Sequence, residues 1–197
     1  KALIVPLLKR ADAPIWGEDR PLILSWLAVE PPSKHRSASD RLIVSQSDPE
    51  WQGRFNRIFS EQGLPLLWPT ADLEDTSKLS VEQLWWLMPD AIKQASLRYQ
   101  TDAILAGRLN QSSEGLWQYE GILFNGEQKL PLLISAESAQ EALAAVSSQV
   151  GQYFADRFAI KPSSTDNRAG IRIVISQVND FTDYSQVLSY LHNITGV

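Results

Sequence analysis

The stretch Thr101–Ser135, TDAILAGRLNQSSEGLWQYEGILFNGEQKLPLLIS, decides how the rest of the chain is read. Ala103 to Leu109 is an apolar run that holds Gly107 and Arg108. A polar turn separates it from Leu116–Phe124, and Lys129–Ser135 forms a third run. Asn125-Gly126 between the last two is a strong hairpin signal. The pattern predicts three consecutive strands, a meander, with helices before and after it. With Leu123 opposite Gln128, Tyr119 falls opposite Leu132 and Trp117 opposite Ile134, which makes one apolar face. Pro131 then falls opposite Glu120. Proline has no N–H for the ladder, so it needs a non-hydrogen-bonded pair or a sheet edge. A four-residue loop, Phe124 to Glu127, or an edge strand with Pro131 outward is therefore expected.

Upstream, Leu22–Val29 is nearly all apolar and lies between Pro21 and Pro31, as suits a buried, central, parallel strand. Glu30–Ser39 reads as a polar loop, and Leu42–Val44 as a short extended piece or the approach to a helix. Asp48-Pro49-Glu50 is a helix start, and Trp51, Phe55, Ile58 and Phe59 form one stripe up to Gly63. Leu64–Trp68 predicts a second short strand. Ser80 with Gln83 makes a capping box, and Pro89 should kink or split the helix that follows, which runs toward Tyr99. Downstream, Ser138 with Glu141 caps a long helix whose stripe is Leu143, Val146, Val150, Tyr153 and Phe154.

The expected order is β-α-β-α-β-β-β-α plus a terminal β-α unit. That is an α/β chain with a mixed sheet, parallel in its first half and antiparallel in its second. Residues 1–15 are expected to be the remnant of a preceding region, with a short amphipathic helix over Lys1–Arg10. The main domain spans 16–160, a Ser/Pro/Asp/Asn-rich linker 161–169, and the terminal unit 170–197, with a strand over Ile171–Val178 and a helix over Phe181–Asn193. This unit cannot bury its own apolar faces. It must dock on the main sheet, pair with another chain, or belong to a second domain.

The chain holds 197 residues, 44% hydrophobic and 21% charged, with a formal net charge of −5. A negative chain with scattered Lys and Arg argues against nucleic-acid binding, which needs clustered positive charge. No apolar run is long enough for a membrane span. The absence of cysteine excludes disulfides and thiolate chemistry. His35 and His192 have no partner at ligand spacing, so no metal is expected. No nucleophile elbow, phosphate loop or glycine fingerprint occurs, so neither a cofactor nor catalysis is expected. Gly107 should permit close packing, and Arg108 should reach solvent or a carboxylate. Seven Trp suit core and interface anchoring, with a stacking surface as the functional alternative.

One acidic cluster, Asp72, Glu74 and Asp75, follows the second predicted strand. Carboxylates at the carboxyl end of a strand are placed where α/β sheets bind ligands. With Trp68 they form the candidate binding residues, against a plain reading as a solvated loop that favours a helix N-terminus.

Trp16-Gly-Glu-Asp-Arg-Pro-Leu22 with Trp26-Leu-Ala28, Gly63-Leu-Pro-Leu-Leu67 with Asp72-Leu-Glu-Asp75, and Asp102-Ala-Ile-Leu-Ala-Gly-Arg-Leu109 followed by Trp117 occur in order. In these blocks the chain resembles the bacterial family catalogued as domain of unknown function 2066, from about Trp16 to the carboxyl end. Gly121 departs from it, where a second Trp is expected. The resemblance implies a secretion signal and a further amino-terminal region before Lys1, hence a periplasmic protein of the envelope. It supplies no catalytic residues. The element order is also similar to the amino-terminal domain of the Tol-Pal propeller protein and to curli-type secretion-channel lipoproteins, a likeness of topology alone. The expected function is a non-enzymatic envelope module that binds another protein or itself. The alternative is a small-molecule or glycan-binding protein using the crevice near Asp72–Asp75.

Overall fold

The computed structural model describes residues 20–32, 41–159, 175–176, 178 and 180–193. The expected Lys1–Arg10 helix, the 161–169 linker and His35 lie outside these residues. So does most of the expected Ile171–Val178 strand, of which Ile175, Ser176 and Val178 carry no regular structure. Arg20–Tyr153 form one compact unit, and Phe154–Val197 belong to a second.

The first unit is a mixed sheet with helices on both faces. In chain order it holds β1 (Ile23–Val29), β2 (Leu42–Ile43), α1 (Pro49–Glu61), β3 (Leu66–Leu67), α2 (Leu73–Lys78), α3 (Val81–Trp85) and α4 (Pro89–Ser96). A 3-10 turn, Leu97–Tyr99, precedes β4 (Ala103–Gln111), β5 (Trp117–Asn125) and β6 (Gln128–Ala136). Helix α5 (Ala139–Phe158) crosses into the second unit, which also carries α6 (Phe181–Asn193), the helix of the expected terminal unit.

The sheet runs β2-β1-β4-β5-β6, with β3 sharing the outer edge of β1. β1 is parallel to β3 and β4, and every other pairing is antiparallel. All seven residues of β1 are buried, as a central strand covered on both faces requires. Its alternate residues split between two cores. Leu24, Trp26 and Ala28 join Ala106 and Phe124 under Leu79, Leu84, Trp85, Ile92 and Ala95, which come from α3, α4 and the turn after α2. On the other face, Trp51 of α1 meets Trp117 of β5 at 6.3 Å. There Phe55, Ile58 and Phe59 of α1 and Leu143, Val146 and Val150 of α5 are buried, and Ser147 Oγ of α5 donates to the Ile58 carbonyl at 3.4 Å.

Several local devices work as the sequence predicts. Gly63 adopts φ +68° and closes α1 with two bonds, Gly63 N to Ser60 O and Leu64 N to Phe59 O. The Ser80/Gln83 capping box forms, and Pro89 splits the predicted helix into α3 and α4. Asp48 behaves differently. Its side chain makes no cap bond to α1 and instead accepts from the Ser45 amide and hydroxyl.

The hairpin register differs from the predicted one by two residues. Asn125 pairs Gln128, Leu123 pairs Leu130, Tyr119 pairs Ile134, Trp117 pairs Ala136 and Pro131 pairs Ile122. The loop is two residues, Gly126-Glu127, not four, and only Gly126 has positive φ. Glycine at the first central position suits a type II′ turn. A turn slid by one residue puts Pro131 three pairs from the closing pair, in a non-hydrogen-bonded site. Pro131 is exposed on β6, the edge strand, so the second of the two expected arrangements is the one adopted. A shift of two preserves which face each side chain takes, so the predicted apolar face survives.

Gly121 lies directly opposite Gly107. A Cβ at Gly121 would sit 2.6 Å from the Ala106 carbonyl oxygen and 2.7 Å from the Tyr119 ring, and a Cβ at Gly107 would also strike that ring. The buried Tyr119 side chain thus occupies a slot made by two glycines, where a Trp at 121 has no room. Burial pushes the Tyr119 phenol well above its usual range.

Candidate functional site

The predicted acidic cluster forms a closed corner between α2 and the 3-10 turn. Asp72 is the N-cap of α2 and accepts from the Asp75 amide at 3.0 Å. Arg98 Nη1 donates to both Asp72 oxygens, at 2.8 and 2.9 Å, and to Asp75 Oδ1 at 3.2 Å. It also lies 3.5 Å from Glu74, which takes a 2.6 Å bond from Lys78 one turn on. Asp75 is 1% exposed, and its second oxygen accepts from the Tyr99 hydroxyl, the Ala71 amide at 2.9 Å and Thr70 Oγ1 at 3.2 Å. The Ala71 amide can point there because Ala71 adopts φ +54°.

The electrostatics follow from those bonds. The Arg98 hydrogen bond, helped by the Asp75 amide, holds the Asp72 carboxyl down to about 2. Lys78, then Arg98, lowers Glu74. Burial, reinforced by the bond to Asp75, raises the Tyr99 phenol. Trp68 belongs elsewhere. Its indole N–H donates to Asn56 Oδ1 at 2.9 Å and its ring stands edge-on to Phe55 at 5.5 Å, under α1. The structure therefore brings Asp72, Glu74 and Asp75 together on Arg98 and leaves Trp68 out of that group.

A shallow cleft of about 300 Å³ opens beside the start of β4 and the β5–β6 turn. Lys93, Leu97, Gln100, Asp102 and Phe124 are among its walls. The Phe124 ring lies 5.8 Å from Lys93 Nζ and 6.0 Å from Lys129 Nζ. Among the described residues no three His, Asp or Glu side chains gather as a set that could hold a metal ion. No described helix is long and apolar enough to cross a membrane.

A second grouping lies on the α3/α4 face of the sheet, toward the carboxyl ends of β1 and β4. Arg108 donates to the Trp85 carbonyl at 2.7 Å and to Glu120 Oε2 on the neighbouring strand. Its guanidinium lies 5.5 Å from the Trp85 ring and 5.6 Å from the Trp86 ring. Arg41 covers Trp85 at 3.9 Å and pairs with Glu30 at 3.4 Å. Trp85 is buried in the core, whereas Trp86 is 65% exposed. The backbone presents Trp86 outward. Leu87 adopts φ +50°, and Leu87 N and Met88 N close α3 by bonding to Leu84 O and Gln83 O. That is a left-handed helix stop built on leucine where glycine is usual, and it places backbone strain at the turn after α3.

Glu120 pairs across the sheet with Leu133, which is 81% exposed. On this face Lys129, Pro131, Leu133 and Ser135 are all exposed, so no helix among the described residues covers β6 there. A row therefore runs from Trp86 through Arg108 and Glu120 to Leu133. From sequence Arg108 was expected to reach solvent or a carboxylate, and it reaches Glu120. The sequence did not announce Trp86 or Leu133, although both carried a signal. Trp86 falls off the apolar stripe Leu84, Trp85, Met88, Ile92, Ala95 and Tyr99, and Leu133 breaks the inward alternation of Leu132 and Ile134.

Neither a known family model nor a curated protein matches this chain.

Proposed function

We propose that this chain is a non-enzymatic interaction or assembly module of the bacterial envelope, acting in the periplasm. The observation that carries the interaction reading is the uncovered row Trp86–Arg108–Glu120–Leu133 beside β6, an edge strand with no outer partner among the described residues. It combines an exposed aromatic, an Arg held in place by a carbonyl and a carboxylate, and an exposed aliphatic. Tryptophan and arginine are the residues enriched at binding hot spots. The envelope location rests on the resemblance of the Trp16–Ala28, Gly63–Asp75 and Asp102–Trp117 blocks to domain of unknown function 2066.

The alternative reading is a small-molecule or glycan site at the Asp72–Asp75 crevice. A ligand there would have to displace Arg98, which already occupies the three carboxylates.

The test is capture from an envelope fraction by the intact chain, wild type against the Trp86→Ala/Leu133→Ser double variant. Both forms should unfold alike in urea. A partner captured by wild type should bind it in purified form and lose at least tenfold in affinity for the variant. A wild-type chain that stays monomeric and captures nothing, or a partner that binds both forms equally, refutes the reading.

A further inference from the structure

The two-residue turn settles which backbone groups of β6 face outward. Asn125 and Gln128 are the closing, hydrogen-bonded pair, and the pairs alternate from there. Lys129, Pro131, Leu133 and Ser135 therefore sit in non-hydrogen-bonded pairs with β5, and their N–H and C=O groups point away from the sheet. All four side chains are exposed. The edge offers four carbonyls and, because Pro131 has no N–H, three amides. Proline and lysine on an edge strand discourage indiscriminate pairing. Here they also discriminate between registers, because each possible pairing of the strand with itself treats them differently.

A two-fold axis at Pro131 would set two prolines opposite each other and leave no donor at the centre. An axis at Ser135 would run Pro131 against Ala139, the first residue of α5, and cut the ladder short. An axis at Leu132 would place Lys129 opposite Ser135 and pair no opposite charges. An axis at Leu133 sets Leu133 against the partner's Leu133, with two bonds exchanged. Ser135 N–H then donates to the carbonyl of Pro131 of the partner subunit, and Lys129 comes beside the partner's Glu137, the first residue after β6, twice over by symmetry. Lys129 and Glu137 are both exposed, and among the described residues neither makes an ion pair.

We propose that two copies of this chain join antiparallel through their β6 edges about an axis at Leu133, forming one continuous sheet. This names a second copy as partner for the surface described above and rests on that reading. Strand addition supplies the affinity through backbone bonds, and the Lys129–Glu137 crossings supply the register. Because the axis is perpendicular to the sheet, the two exposed Leu133 side chains meet on the same face and bury each other.

The chain has no cysteine, so Leu133→Cys introduces its only thiol. Directly opposed residues of a hydrogen-bonded antiparallel pair lie about 5.5 Å apart between Cα atoms, within disulfide reach. Ser135→Cys is the control, since its symmetry mate lies four residues along the strand, about 13 Å away. Mild oxidation of the full chain should link Leu133→Cys into a covalent dimer and leave Ser135→Cys monomeric. Sedimentation equilibrium of the cysteine-free protein should show a dimer. Lys129→Glu should raise its dissociation constant about tenfold, and Lys129→Glu/Glu137→Lys should restore it. A protein that stays monomeric without selective cross-linking overturns the proposal. So does a dimer that ignores charge reversal and links equally through both cysteines. A monomer that still captures an envelope partner through Trp86 and Leu133 overturns the dimer alone and leaves the interaction reading standing.

Discussion

Asp75→Ala separates a structural corner from a binding site. The native carboxylate is buried and takes four bonds, from Tyr99 Oη, Ala71 N, Thr70 Oγ1 and Arg98 Nη1. Arg98 keeps Asp72 when Asp75 is truncated, and Thr70 still lies 3.3 Å from Tyr99 Oη, so neither is stranded. The Ala71 amide and the Tyr99 hydroxyl lose their acceptor. The first is held by a positive-φ residue, and the second belongs to a half-buried ring packed edge-on against Trp26 at 6.2 Å. Each such loss costs about 1–3 kcal/mol, giving about 3 kcal/mol for the pair because the Tyr99 hydroxyl is only half-buried; the Asp72 cap, which binds the Asp75 backbone amide, is kept. For a chain of this size that lowers Tm by about 10 °C. Urea unfolding followed by tryptophan fluorescence measures it, with Asp75→Asn expected to lose about half as much because one acceptor remains. A loss below about 1 kcal/mol for Asp75→Ala, with an unchanged m value, would refute the structural account and return this carboxylate to the ligand-binding reading.

Three further outcomes follow from the same geometry. Asp72 has a carboxyl held down to about 2 by Arg98, against an ordinary value near 4, so its pairing stabilises the fold above about pH 4 and is lost as pH falls toward 2. The stability gap between wild type and Arg98→Met should accordingly be constant from pH 7 to 5 and shrink below pH 4 in urea titrations, and a gap that widens on acidification contradicts it. Gly121→Ala drives a methyl into the Ala106 carbonyl and the Tyr119 ring and should cost about 2–3 kcal/mol by equilibrium unfolding. Leu87→Gly should be tolerated better than Leu87→Val in thermal unfolding, because a β-branched residue fits φ +50° poorly; the reverse order would show that side-chain packing, not backbone strain, governs the turn after α3.

What could be read from sequence divides along a physical line. Faces were legible, because side-chain parity alone sets them. The unbroken run at Leu22–Val29 announced a doubly covered strand, and alternation placed Tyr119, Leu123, Leu132 and Ile134 inward. Register was not legible, because Asn125-Gly126 and Gly126-Glu127 both make acceptable two-residue turns and differ only in which pair carries Pro131. The corner at Asp72 was half legible. An acidic cluster after a strand is visible in sequence, but its meaning depends on Arg98, distant in the chain and brought back by α4 and the 3-10 turn. Trp68 was misleading for a related reason. Leu64–Trp68 is apolar throughout, so nothing in it shows that Leu67 turns toward the α3/α4 core while Trp68 turns toward α1.

The placement of the exposed row follows from the change of strand direction within one sheet. Parallel strands are joined by helical crossovers, and those helices necessarily lie on the sheet faces. β1 and β3 are joined through α1, and β3 and β4 through α2 to α4, which covers β1 on both sides. From β4 onward the connections are short turns, so no crossover helix is available for the α3/α4 side of β5 and β6. Helix α5 covers only the opposite face, where Leu132 and Ile134 are buried. The bare face is thus a consequence of topology, while its residues are a matter of sequence. A solvated strand face carries polar side chains, yet β6 places Leu133 there between Pro131 and Ser135, beside an Arg108 fixed by Trp85 and Glu120. Replacing Leu133 by Ser or Thr would cost the fold little, since the side chain is already in water. The proposed contact with something outside the chain would account for its presence, and a Leu133→Thr variant with undiminished binding and self-association would leave that proposal without support.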